Sequence, residues 1–171
     1  MTPVPVKFSV YADGSSGGNS QGPIGWGWVV VKDDSHVLCA GSGGNPEGTN
    51  NIAELMGARE GLRALLQHPV YQAQHASGLH YRIELVSDSQ YVLGLANGSY
   101  SATKNTALAE HVRDICRMSF VQTRWVKGHA GDPINEMCDK LAKLGKEQYG
   151  GKRSNKRQRR RHRRKSRRIS K

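Results

Sequence analysis

Cysteine is scarce in this chain of 171 residues: Cys39, Cys116 and Cys138 are odd in number, far apart, and never in CxxC spacing. A disulfide framework and a structural zinc site are thereby disfavoured, and a reducing compartment is expected. No apolar run approaches the ~20 residues that span a bilayer, so no membrane association is expected. The N-terminus passes almost directly into a strand pattern, without the features of a secretory leader. Acidic residues are missing from 151–171, which holds thirteen of the 26 Lys and Arg. Residues 1–150 keep the other thirteen against all 14 acids, a net charge of −1, so the overall +12 is a property of the tail. The reading is a near-neutral folded domain over 1–149 and a cationic segment over 150–171, which has one large aliphatic residue, Ile169, and is expected to be disordered.

Within the domain, Val6, Phe8, Val10 and Ala12 alternate with polar neighbours, the period of a strand, with Asp13 at its end. The stretch DGSSGGNSQGPIG reads as a glycine-rich turn region with little regular structure. Strands follow at Trp26–Lys32 and about His36–Ser42, joined tightly at Asp33-Asp34-Ser35. Residues 43–50 read as loop, and a helix runs from about Asn51 to Gln67, where Pro69 stops it. Residues 70–80 read as irregular. Tyr81–Ser87 is a fourth strand, followed by a short helix to about Ala96, a helix over Thr106–Met118, and a fifth strand over Phe120–Lys127. Three meander strands, then strands separated by helices, predict an α/β domain: a mixed five-stranded sheet, part antiparallel and part parallel, flanked by helices.

The most informative stretch is WVKGHAGDPINEMCDKLA, from Trp125 to Ala142. His129 tips a glycine-flanked loop; Asp132-Pro133 then opens a helix with apolar residues at helical spacing and Asp139 off that stripe. Asp13 and Asp88 end strands; if these strands are adjacent and parallel, both carboxylates lie at the carboxyl edge of the sheet. Glu54 lies in the first turn of its helix, where a carboxylate suits the helix dipole. Four acids brought together repel, and divalent cations remove that penalty. All-oxygen ligation suits Mg2+, with Mn2+ able to substitute, rather than zinc. Taken singly, Asp13 is a turn residue, Asp88 an N-cap, and Asp139 a partner for Lys143 at i+4.

The blocks YADGSSGGN, TNNIAELMGA, VSDSQYV and WVKGHAGDPINEMCDKLA resemble the motif series of type 1 ribonucleases H over roughly residues 6–148. The resemblance implies the ribonuclease H-like fold and endonucleolytic hydrolysis of the RNA strand of RNA–DNA hybrids, leaving 5′-phosphate and 3′-hydroxyl ends. It implies that Asp13, Glu54, Asp88 and Asp139 hold two Mg2+ ions, with His129 as the mobile histidine of the site. It also implies substrate contacts from Asn19, Thr49, Asn51 and Gln90 and from the backbone around Gly14, Ser15 and Ser16, with Asn135 contacting substrate or bracing the His129 loop.

Some bacterial members carry a basic helix and loop after the VSDSQYV block. Here LGLANGSYSATKN holds one lysine, Lys104, so that handle is absent or replaced by a short loop, and Ile52 stands where some relatives have arginine. The tail is expected to compensate. Its Arg159, Arg160, Arg161, Arg163, Arg164 and Lys165 suit salt-sensitive, sequence-independent contact with phosphates of the hybrid or other nucleic acid. A monomer is expected from the resemblance. The expected location is the cytoplasm, nucleoid-associated in a bacterium; the tail composition is equally compatible with nuclear targeting.

Overall fold

The computed structural model of the chain describes residues 4–18 and 21–149. Three strands, β1 (Val6–Ser16), β2 (Gly22–Lys32) and β3 (His36–Gly48), form an antiparallel meander. Helices α1 (Asn50–Gln67) and α2 (Pro69–Ala76) lead to β4 (Tyr81–Ser87), which pairs with β1 in parallel. Then α3 (Gln90–Asn97), α4 (Thr106–Met118) and β5 (Gln122–Trp125) follow, and α5 covers residues 133–149. The sheet order is β3-β2-β1-β4-β5, with β5 parallel to β4. This is the expected mixed sheet, and it puts β1 at its centre.

The alternation in β1 separates two cores. Phe8, Val10 and Ala12 pack with Val30, Leu55, Leu62, Leu65, Val92 and Val112 in the cluster that contains α1, α3 and α4 side chains. Tyr11 packs with Val29, Val31, Val86 and Cys138 beneath α5. Burial of each large aliphatic or aromatic side chain contributes roughly 1.5–3 kcal/mol, so the two layers hold the sheet between them. Among the described residues, no helix is long and apolar enough to cross a membrane.

The sequence reading of the glycine-rich segments is corrected. Strand β1 continues through Gly14 to Ser16, β2 begins at Gly22 rather than Trp26, and β3 runs on to Gly48 where loop was expected. Here glycine serves packing. A Cβ on Gly27 would meet the Cys138 carbonyl and Leu141, and one on Gly25 would meet the Ala142 carbonyl and the Lys146 amide. The small residues let α5 lie directly on β2. Across the β2–β3 ladder, Trp26 pairs with Gly43 and Trp28 with Gly41, each indole occupying the space where the glycine lacks a side chain.

Two further segments differ from expectation. Residues 69–76 form α2: His68 Nδ1 accepts from the Val70 amide, Pro69 opens the helix, and Tyr71 is its one buried residue. One anchor leaves no apolar stripe in the sequence. Strand β5 is shorter than Phe120–Lys127, since Phe120 adopts φ +52°, a left-handed conformation that cannot continue a strand. In contrast, β4 and α4 occupy the expected residues. Eight residues, 98–105, join α3 to α4, which leaves no room for an additional basic helix there.

Candidate active site

The site grows from the carboxyl edge of the parallel β1–β4 pair. Their ladder ends at Tyr11↔Val86, so Asp13 and Asp88 each stand two residues beyond it. Glu54 comes from the first turns of α1, whose N-cap is Thr49: its hydroxyl accepts from the Ile52 amide at 3.3 Å. The helix docks tightly because Gly14 carries no side chain; a Cβ there would lie 2.5 Å from the Glu54 amide nitrogen and 2.8 Å from the Ala53 carbonyl carbon. As a result, Asp13, Glu54 and Asp88 each offer a carboxylate oxygen within 4.8 Å of the others.

Asp13 and Glu54 are both only 6% exposed. Asp13 accepts a hydrogen bond from the Gly14 amide at 2.9 Å, while Glu54 Oε2 is buried with no hydrogen-bond partner. Burial, followed by the Asp88 charge, pushes Asp13 from an ordinary 3.8 up to about 7. Burial and then the Asp13 charge push Glu54 well above the usual carboxylate range. Such a trio resists full ionisation unless a cation enters. The donor set is all oxygen and includes an unpartnered buried carboxylate atom, which fits a hard divalent cation.

Asp139 lies outside the close trio. It projects from the second turn of α5 and pairs with Lys143 Nζ at 2.6 Å, the i+4 partner anticipated from its spacing. Its charge still contributes to raising Asp13, so it belongs to the same electrostatic neighbourhood. Asp132 caps α5, accepting from the Ile134 and Asn135 amides at 3.0 Å. Ahead of it, His129 is exposed, with φ +54°, and Gly131 follows at φ +87°. Gly128 brings this loop against Asp88: a Cβ would sit 2.7 Å from Asp88 Oδ2.

The sequence candidates for substrate contact are arranged around that edge. Asn51 and Gln90 are exposed in the first turns of α1 and α3, and Ser15 and Ser16 are half-buried at the end of β1. Ser89 caps α3 by accepting from the Val92 amide, so Asp88 is not needed as a cap. Asn135 is 3% exposed, and its Oδ1 has no hydrogen-bond partner; its burial favours a supporting position over a surface contact. Asn19 and the tail residues Arg159, Arg160, Arg161, Arg163, Arg164 and Lys165 lie outside the described residues. Sequence reasoning passed over Lys146, whose Nζ donates to the Ser16 carbonyl at 3.3 Å and ties α5 to the end of β1. Its position seven residues after Asp139, two helical turns along one face, was the available signal.

Comparisons with known proteins agree with this architecture. Residues 5–147 match the RNase H family model. The chain is 36% identical over 162 residues to ribonuclease HI of Caulobacter vibrioides, covering 86% of this chain and 96% of that protein. It is 32% identical over 153 residues to ribonuclease H of Treponema denticola, covering 80% and 95%. Among solved structures, the N-terminal ribonuclease H domain of a Mycobacterium tuberculosis protein superposes with a TM-score of 0.70 at 25% identity, covering 86% and 98%. A type 1 enzyme in complex with an RNA/DNA hybrid gives 0.67 at 21% identity, covering 82% and 97%, a likeness of fold. The chain therefore belongs to the type 1 ribonuclease H family of hydrolytic nucleases.

Proposed function

We propose that the protein is an endoribonuclease that cuts the RNA strand of RNA–DNA hybrids, leaving 5′-phosphate and 3′-hydroxyl ends. The observation that carries this reading is the close trio Asp13, Glu54 and Asp88 at the carboxyl edge of a ribonuclease H fold. Family membership supports the hydrolytic class, and a solved structure of the same fold holds an RNA/DNA hybrid. Asp13, Glu54 and Asp88, joined by Asp139, would hold two Mg2+ ions or their Mn2+ substitutes. When bound, such ions stabilise the charge that develops at phosphorus and on the attacking and leaving oxygens.

The residues of the chain supply the rest. Asp13 and Glu54 sit in a buried recess where burial and mutual repulsion oppose their ionisation, and a bound cation would offset both. Lys143 keeps Asp139 oriented until a cation competes for it. Thr49 has its hydroxyl oxygen occupied by the Ile52 amide, and its O–H proton can be donated outward to a phosphate. Asn51 and Gln90 present amides suited to 2′-hydroxyls and minor-groove base edges. His129, exposed on its loop, would carry a proton to or from the reacting oxygens, and the buried Asn135 would brace that loop.

A panel of matched substrates tests the reading. With magnesium, the protein should cut the RNA of a hybrid and leave duplex DNA and duplex RNA intact; binding of the hybrid without cutting would identify a binding module instead. His129→Ala should lower the turnover rate by roughly 10- to 1,000-fold, scaled from general acid–base contributions, with an unchanged melting temperature because the side chain is exposed. The tail would tether nucleic acid near the site and raise its effective concentration. Truncation after Tyr149 should therefore leave the rate on saturating short hybrids unchanged, raise KM, and flatten the dependence of KM on salt. An unchanged salt slope would remove the tail from substrate binding.

A further inference from the structure

We propose that Trp125 is a nucleic-acid contact: an indole platform beside Asp88 that packs against the sugar edge of the strand next to the scissile phosphate. This rests on the hybrid reading above.

Trp125 is the last residue of β5, opposite Ser87 in the parallel ladder, and is 50% exposed. The other two tryptophans lie over the glycines of β3, and Trp28 also packs against the main core. The Trp125 ring is nevertheless held in place: its Nε1–H donates to the Asp88 carbonyl at 3.1 Å. That bond satisfies the single polar group of the indole and leaves its apolar faces as the uncommitted surface.

Its position follows from the strand. Thr123, two residues earlier and so on the same face, is bonded to Asn97 of α3. The Trp125 ring accordingly stands on the α3 side of the sheet, and its bond to Asp88 brings it up to the carboxyl edge. Gln90 lies two residues after Asp88, exposed at the start of α3, and the exposed Lys127 and the Gly128 turn against Asp88 follow Trp125 in the chain. A fixed, half-open aromatic surface among polar and cationic groups at a carboxylate site fits a nucleic-acid strand: apolar faces for sugar or base, amide and ammonium groups for the polar edges. In a paired hybrid the bases are stacked on one another, so the surface available to the indole is the sugar edge.

The experiment uses Asp13→Asn protein, which should bind without cutting, and a short fluorescently labelled hybrid. Adding Trp125→Ala should weaken binding by about 5- to 50-fold, the range of one aromatic contact. Trp125→Phe, which keeps an apolar face but loses the N–H, should stay within about threefold. Hybrid should also change the tryptophan emission of the parent, and that response should vanish in the Trp125→Phe protein, where Trp26 and Trp28 remain. Unchanged affinity in both variants, or an emission change that persists in Trp125→Phe, overturns the proposal. So does a Trp125→Ala protein whose losses are confined to melting temperature and turnover of the otherwise wild-type enzyme: the ring would then only brace Asp88. The parent is measured first. If it binds no hybrid and the wild type cuts none, the hybrid reading itself has failed, and Trp125 falls with it.

Discussion

Asp13→Asn should reduce cleavage by at least about 10,000-fold and, in the absence of divalent metal, should raise the melting temperature. The activity loss follows from removing the central carboxylate, since contributions of the bound ions and their alignment each amount to several kcal/mol. The stability gain follows from linkage. Asp13 is raised from 3.8 to about 7, so between these values the native state binds more protons than the unfolded chain. Stability contributed by the protonated form is complete below about pH 4 and is lost as pH rises through 7. Above that, the metal-free enzyme carries the whole electrostatic penalty, which asparagine does not.

One unit corresponds to about 1.4 kcal/mol, and part of the penalty is shared with Glu54 and Asp88, so a gain of a few kcal/mol is expected. In a domain of this size that is about 5 °C or more at pH 8, shrinking toward pH 4. Magnesium should raise the melting temperature of the wild type and have much less effect on the variant. Thermal scans across pH, with magnesium and with chelator, read both signs; a variant that melts below the wild type at pH 8 in chelator would contradict the electrostatic account.

Gly14→Ala should also lower activity, on the order of 100-fold, although it touches no ionisable group. The added Cβ would stand 2.5 to 2.9 Å from the Glu54 amide, the Ala53 carbonyl carbon and the Ala53 side chain. Helix backbone cannot yield as a side-chain tip can, so α1 must move away from β1 and take Glu54 with it. Overpacking of this kind costs about 1–3 kcal/mol, and displacement of a site group by ~1 Å costs on the order of 100-fold in rate. Gly17→Ala is the control, because a Cβ at Gly17 meets nothing within 4 Å. The comparison is read as cleavage rate and melting temperature for both variants. Equal rates would show that the close approach of β1 and α1 is not what sets the carboxylate cluster.

The order of strands and helices was legible because β1, β4, α1 and α4 each present one apolar period. Tyr81–Ser87 and Thr106–Met118 even end where their patterns end. Asp13, Glu54 and Asp88 could be nominated from their places at element ends, but their mutual distance depends on β4 choosing β1 as its parallel neighbour. The glycines misled for a physical reason. Local propensity reads Gly25, Gly43 and Gly44 as turn or loop formers, while the ladder and the close approach of neighbouring groups require them inside strands. Helix α2 was missed because Tyr71 alone anchors it. The role of Asp139 was legible only as two options, and the structure shows its ion pair with Lys143.

The central claim is that the carboxylate cluster makes this chain a metal-dependent hybrid nuclease. The most direct measurement is cleavage of a defined hybrid, labelled on its RNA strand, by wild-type and Asp13→Asn protein with magnesium and with chelator. The account predicts RNA fragments ending in 3′-hydroxyls from the wild type with magnesium, and none from the other three reactions. Cleavage that persists in chelator, or at an undiminished rate in Asp13→Asn, would contradict it.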